Sequence, residues 1–151
     1  MPSRSVLSIA PGVSSIGFCY FEGTELLDWG ARRAADRGTG WAGRKRVVLR
    51  LVEQYRPELV VLPSIRTDVG RRPWLGKFIE SVRVSLVGGR ADVALCGNED
   101  VQECFRRLTG EADPTKHRIM AHLGVLFPQL SPLVPPRRRA WDPQDYWTPM
   151  F

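Results

Sequence analysis

Apolar residues come in short runs through the first third of the chain and at helical spacing afterwards. Val6-Leu7-Ser8-Ile9-Ala10 stops at Pro11-Gly12, which reads as a buried strand running into a tight turn. Ser15 to Phe21 is a second run. Glu22-Gly23-Thr24 then leads into Glu25 to Gly30, a hairpin signal with glycine in the turn. Three strands joined by short turns therefore open the protein, and Ala31 to Thr39 reads as a basic, glycine-containing connection. Trp41, Val47, Val48, Leu51, Val52 and Tyr55 recur at helical spacing up to an Arg56-Pro57 stop, predicting a helix of about four turns. Glu58 to Leu62 is a short apolar run after that helix, as a buried parallel strand should be.

After a polar loop over Ile65 to Pro73, a second amphipathic helix carries Trp74, Leu75, Phe78, Ile79, Val82 and Leu86 on one face and ends at Gly88-Gly89. Ala91 to Leu95 reads as a fifth strand. Asn98 is the expected N-cap of a helix bearing Val101, Cys104, Phe105 and Leu108. Asp113-Pro114 is the expected start of the next helix, which bears Ile119, Met120, Leu123 and Phe127 and stops at Pro128. This order predicts a three-layer α/β domain over residues 1–130, a mixed five-stranded sheet flanked by helices. No internal repeat or earlier boundary is visible. Residues 131–151 form a basic, proline- and aromatic-rich tail expected to pack on or near the domain.

Composition narrows the function classes. A chain of 151 residues suits one domain with one substantial core. No window approaches the roughly 20 apolar residues of a membrane span. Met1-Pro2-Ser3-Arg4 leads straight into a strand without signal-peptide architecture. Cys19, Cys96 and Cys104 are odd in number and form no Cys-x-x-Cys pair, which fits reduced thiols in a cytoplasmic protein. The net charge is +6, the isoelectric point is about 9.8, and every basic residue except Lys45, Lys77 and Lys116 is arginine. That balance favours a polyanionic partner, although an arginine-rich composition alone would also produce it.

Residue 10 stands at the carboxyl end of a central strand, where open α/β sheets present their ligand crevice. Ile9-Ala10-Pro11-Gly12 and Ile16-Gly17-Phe18 resemble the opening of the RuvC-like branch of the ribonuclease H-like superfamily. Thr115-Lys116-His117, Phe127-Pro128, the run Pro135-Pro136-Arg137-Arg138-Arg139-Ala140-Trp141 and Asp145-Tyr146 continue the resemblance. It implies a ribonuclease H-like fold and two-metal phosphodiester hydrolysis by carboxylates. The carboxylate positions depart from the family pattern. Ala10 stands where the resemblance implies an Asp, and Pro63 where it implies a Glu. The sequence ends at Phe151, where the helix carrying the last acid would begin, so that final helix is expected to be missing. The expectation is therefore no catalytic carboxylate set, no metal ligands and no cofactor. Magnesium or manganese would enter only if the enzyme were active.

Three functions remain. The first is a catalytically inactive nuclease fold that binds nucleic acid, DNA rather than RNA, with branched DNA as one substrate form. Arg71, Arg72, Lys77, Lys116, His117, Arg137, Arg138 and Arg139 would meet phosphates and Trp141 would stack on bases. The second is an altered or shortened form of an active, Holliday-junction-resolvase-like endonuclease, against which Pro63 argues. The third is a protein-interaction scaffold, with a homodimer as one form. Asp68, Asp142 and Asp145 read as solvated loop acids. His117 and His122 lie five apart on one helix and face different directions, so they make no ligand pair. No Ser-His-Asp grouping, Walker loop or Gly-x-Gly-x-x-Gly is present, so a nucleotide-fuelled enzyme is poorly supported.

Overall fold

The computed structural model describes residues 2–12, 14–34, 40–64 and 73–134. Strands β1 (Ser5–Pro11), β2 (Ser15–Glu22), β3 (Glu25–Arg33), β4 (Leu59–Pro63) and β5 (Asp92–Cys96) form one sheet in the order β3-β2-β1-β4-β5. β1, β2 and β3 pair antiparallel, while β4 lies parallel to both β1 and β5. The mixed five-stranded sheet expected from the sequence is thus present. The chain divides into two compact units, one up to Gly97 and one from Asn98.

In the first unit, alternation along the strands decides which side chains are buried together. Leu7 and Ile9 of β1, Ile16 and Phe18 of β2, and Val60 and Leu62 of β4 share one face. Onto that face pack Val48 and Leu51 of α1 (Ala42–Tyr55) and Phe78, Ile79, Val82 and Leu86 of α2 (Pro73–Leu86). Burying each of these aliphatic or aromatic side chains is worth about 1.5–3 kcal/mol, so this layer carries most of the stabilisation of the unit. Helix α1 ends at Arg56, whose N–H still reaches the Val52 carbonyl at 2.8 Å and whose left-handed backbone (φ 47°) turns the following chain off the helix just ahead of Pro57. Helix α2 ends through Gly88, whose φ of +78° suits a residue without Cβ.

The ends of three strands differ from the sequence reading. β3 runs on through Ala31, Arg32 and Arg33, which pair with Gly17, Ile16 and Ser15 instead of opening a connection. The Arg32 guanidinium lies 5.3 Å from the centre of the Phe18 ring, so a charged residue continues the strand by covering the edge of the core. A register shift between Tyr20 and Phe21, where the ladder takes up an extra residue, precedes this stretch. β4 and β5 each run one residue past their expected ends, to Pro63 and Cys96.

The second unit contains α3 (Asn98–Thr109), α4 (Lys116–Leu126) and a short 3₁₀ helix (Pro128–Leu133). Helix α4 starts after the Asp-Pro signal rather than at it. Thr115 is the N-cap, its hydroxyl accepting from the Arg118 N–H at 3.3 Å, because the first competent cap beyond Pro114 takes the role. Of the expected apolar face of α3, Phe105 is buried and meets His122 edge-on at 5.7 Å, whereas Cys104 and Leu108 are exposed. Gly124 is buried where a Cβ would come within 2.9 Å of Val134, so the 3₁₀ segment can lie close against α4. The expected tail is described only as far as residue 134, within and just after that 3₁₀ helix; residues 135–151 lie outside the described residues.

Candidate nucleic-acid interface at the carboxyl end of the sheet

The ladder registers place the two altered positions side by side. Ala10 pairs with Gly17, and Pro63 pairs with Cys96. The β1–β4 register runs from Val6 opposite Leu59 to Ser8 opposite Val61, and two further residues bring Ala10 level with Pro63. In that extended register Gly17, Ala10, Pro63 and Cys96 stand level across four strands. Because Leu7, Ile9, Val60 and Leu62 point into the core, this row points to the opposite face. Carboxylates at 10 and 63 would stand at the spacing that a hard divalent cation bridges. The side chains present are a hydrogen, a methyl, a pyrrolidine ring and a thiol. They offer none of the oxygen ligands that magnesium or manganese requires, so the residues do not fit a two-metal centre. Among the described residues no group of three His, Cys, Asp or Glu could hold a metal ion.

Local structure fixes this row firmly. The Gly12 N–H donates to the Ser15 carbonyl at 2.8 Å, closing the β1–β2 turn directly after Pro11. The Ser64 N–H donates to the Cys96 carbonyl at 2.9 Å, carrying the β4–β5 ladder past Pro63. Cys19, opposite Ser8 on the same face as Ala10, is half-buried, and desolvation pushes its thiol up to about 11.

Basic residues stand at this end of β3, while Glu99 and Asp100 follow Cys96 in the first turn of α3. Pro11, Ile16 and Arg32 are level across three strands, so β3 brings the exposed Arg32 and Arg33 to the carboxyl end of β1. Helices α1 and α2 both begin at this end, and neither has an acid in its first turn to offset the positive pole of the helix. Arg44, 4 % exposed in the first turn of α1, donates from Nε to the Gly12 carbonyl at 3.2 Å and from Nη1 to the Gly40 carbonyl at 2.7 Å. Its guanidinium lies 4.5 Å from the centre of the Trp74 ring.

The opposite end of the sheet carries the acids. Glu22, Glu25, Glu58 and Asp92 lie at the amino ends of β1, β4 and β5 or their antiparallel partners. Glu58 accepts from the Ser5 N–H at 2.9 Å, and Asp92 pairs with Arg4 at 2.6 Å. Tyr55 hydrogen-bonds Asp28 and stacks on Tyr20 at 4.7 Å. Burial first, then the bond to Asp28, pushes the Tyr55 hydroxyl up to about 12.

The residues proposed from sequence fall into four groups. Ala10 and Pro63 are brought together in one row. Lys77 is exposed on α2, lining with Lys45, Trp41 and Ser81 a groove of about 510 Å³ between α1 and α2, where the Lys45 ammonium donates to the Ser81 hydroxyl at 2.8 Å. Lys116 and His117 open α4 in the second unit. Arg71, Arg72, Arg137, Arg138, Arg139 and Trp141, like Asp68, Asp142 and Asp145, lie outside the described residues. Sequence reasoning missed Arg32, Arg33 and Arg44. The alternation Phe18–Tyr20 against Gly30–Arg32 could have extended β3, but nothing local marks Arg44 as a buried residue.

No family model and no curated protein matches the sequence. Solved structures do. The chain is similar to Thermus thermophilus RuvC in complex with Holliday junction substrate, with 18 % identity, a TM-score of 0.54, and coverage of 86 % of this chain and 96 % of that one. It is also similar to a second Thermus thermophilus RuvC structure, with 19 % identity, a TM-score of 0.59, and coverage of 82 % and 79 %. A third similarity is to the Fowlpox virus resolvase in its complex with substrate Holliday junction DNA, with 12 % identity, a TM-score of 0.52, and coverage of 85 % and 76 %. The chain therefore has the RuvC-like, ribonuclease H-like fold expected from its sequence motifs.

Proposed function

We propose that this protein binds DNA, branched DNA included, on a RuvC-like nuclease fold and does not cleave it. The observation that carries the reading is the charge arrangement of the sheet. At the carboxyl end the row Gly17–Ala10–Pro63–Cys96 carries no carboxylate, while Arg32 and Arg33 stand on the adjoining strand and two helix amino ends point the same way. A surface that would hold metal ions against phosphate becomes one that meets phosphate directly through cations. Arg32, Arg33 and Lys77 would make those contacts in the first unit. Arg71 and Arg72 precede α2 in the chain and would add to them. Lys116, His117 and Arg137 to Arg139 would also meet phosphates, and Trp141 would stack on an unpaired base. The preference for DNA rests on the junction DNA held by two of the similar structures.

The test is a fluorescence-anisotropy titration of labelled duplex, four-way-junction and single-stranded DNA and RNA at two salt concentrations. The same samples are then run on a denaturing gel after incubation with manganese. The expected result is tightest binding to the junction, a steep loss with salt and intact strands. Cut strands would overturn the non-cleaving reading and return attention to Asp68, Asp142 and Asp145. No binding at low salt would overturn the DNA-binding reading itself.

A further inference from the structure

Among the described residues, Arg44 is the one charged side chain that is buried. Taking a guanidinium out of water costs several kcal/mol in effective terms, and an apolar residue of similar volume would fill the same space without that cost. What the guanidinium adds is connection. It bonds Gly12 in the β1–β2 turn and Gly40 ahead of α1, and presents its flat face to Trp74 in the first turn of α2. These three segments are far apart in sequence, and all border the carboxyl end of the sheet. No other residue type combines a planar fork of donors with a surface that stacks on an indole.

We propose that Arg44 is a positioning residue for the DNA-binding end, tying the β1–β2 turn to the start of α2 so that the two hold one arrangement. The inference rests on the DNA-binding reading for its purpose, but the tie itself is observable without DNA. Trp74 reaches the turn through Arg44, so loss of the indole should loosen a turn on the far side of the guanidinium. Lys77 follows Trp74 by three residues and is carried on the same helical turn.

The experiment is amide hydrogen exchange on the whole chain, read at the Gly12 amide and at the first turn of α2, for wild type, Trp74→Leu, Arg44→Met and Arg44→Lys. Circular dichroism confirms that each variant folds. Trp74→Leu is expected to raise exchange at Gly12 by about tenfold or more, and both Arg44 variants to raise exchange at the turn and at α2 together. Lysine keeps the charge but lacks the fork, so it should not rescue. Junction affinity should fall about tenfold in Arg44→Met with an unchanged salt slope, because every phosphate keeps its cation. Exchange that rises only within α1, or a Gly12 amide indifferent to Trp74→Leu, would overturn the tie. A salt slope reduced by about one would overturn positioning in favour of a direct phosphate contact. Unchanged junction affinity with loosened segments would overturn its link to binding. Wild type that binds no DNA removes the functional reading alone, since the exchange measurements still decide the tie.

Discussion

The two ends of the sheet are made from the same strands and carry opposite chemistry. At the amino end, acids are held in specific bonds: Glu58 to the Ser5 N–H, Asp92 to Arg4, and Asp28 to Tyr55. At the carboxyl end the level row Gly17, Ala10, Pro63 and Cys96 carries no carboxylate, Arg32 and Arg33 stand on β3 at the same end, and Glu99 and Asp100 follow Cys96 in the chain. The core lies between them and is indifferent to the contrast, because it uses the alternate positions Leu7, Ile9, Val60 and Leu62 on the other face. The buried side chains and the row at positions 10 and 63 occupy different faces of the same strands, whereas Arg32 lies over Phe18 on the core face. Positions 10 and 63 lie outside the packed core, so their side chains can change while every core side chain stays in place.

The largest effect should come from removing the basic end. Replacing Arg32, Arg33 and Lys77 together by Gln is expected to weaken junction binding about tenfold to a hundredfold and to flatten the salt slope by about 0.9 for each phosphate left without its cation. Anisotropy at several salt concentrations measures both. Affinity and slope equal to wild type would erase the functional difference between the two ends.

Restoring the acids should make the carboxyl end resemble the amino end without its compensating bonds. Ala10→Asp with Pro63→Glu is expected to lower stability by about 1–3 kcal/mol through repulsion between carboxylates one strand apart. Millimolar manganese should recover much of that loss by binding only the folded state, seen as a rise in melting temperature absent from wild type. A double variant as stable as wild type and unmoved by manganese would show that the row no longer lines a cation-sized space.

At the amino end, Glu58→Gln keeps the shape but weakens the acceptor for the Ser5 N–H. The bond is solvent-exposed, so the expected cost is about 0.5–1.5 kcal/mol in denaturant unfolding. Junction affinity should stay within about twofold of wild type, since no phosphate-binding cation is touched. A large affinity change would show that the two ends are not separate.

The smallest effect belongs to the thiol on the acid-free face. Burial raises Cys19 from 9.0 to about 11 in the folded protein. The unfolded chain releases its thiol proton near the lower value, so this group's contribution to stability is intact below about pH 9 and declines as pH rises toward 11. Cys19→Ala should flatten that decline in melting temperatures taken under reducing conditions. Iodoacetamide should label exposed Cys104 well before Cys19.

Much of this protein was legible from its residues. The runs at Val6 to Ala10 and Glu58 to Leu62, the helical spacing of Val48, Leu51 and Val52, and the stops at Pro57 and Gly88 set strands and helices where the structure has them, because burial periodicity and turn chemistry are local. The Ala and Pro at positions 10 and 63 were also readable, since they concern identity and not geometry. Tertiary structure decided the rest. Only strand pairing extends β3 to Arg33, because Arg32 continues the strand by lying over Phe18 from the neighbouring strand. Only the parallel register of β1 and β4 makes Ala10 and Pro63 neighbours, 53 positions apart in the chain and one strand spacing apart in space. Arg44 looks like any helix-surface arginine until Gly12, Gly40 and Trp74 converge on it, since hydrogen bonds and stacking at such sequence separations exist only once the chain has folded.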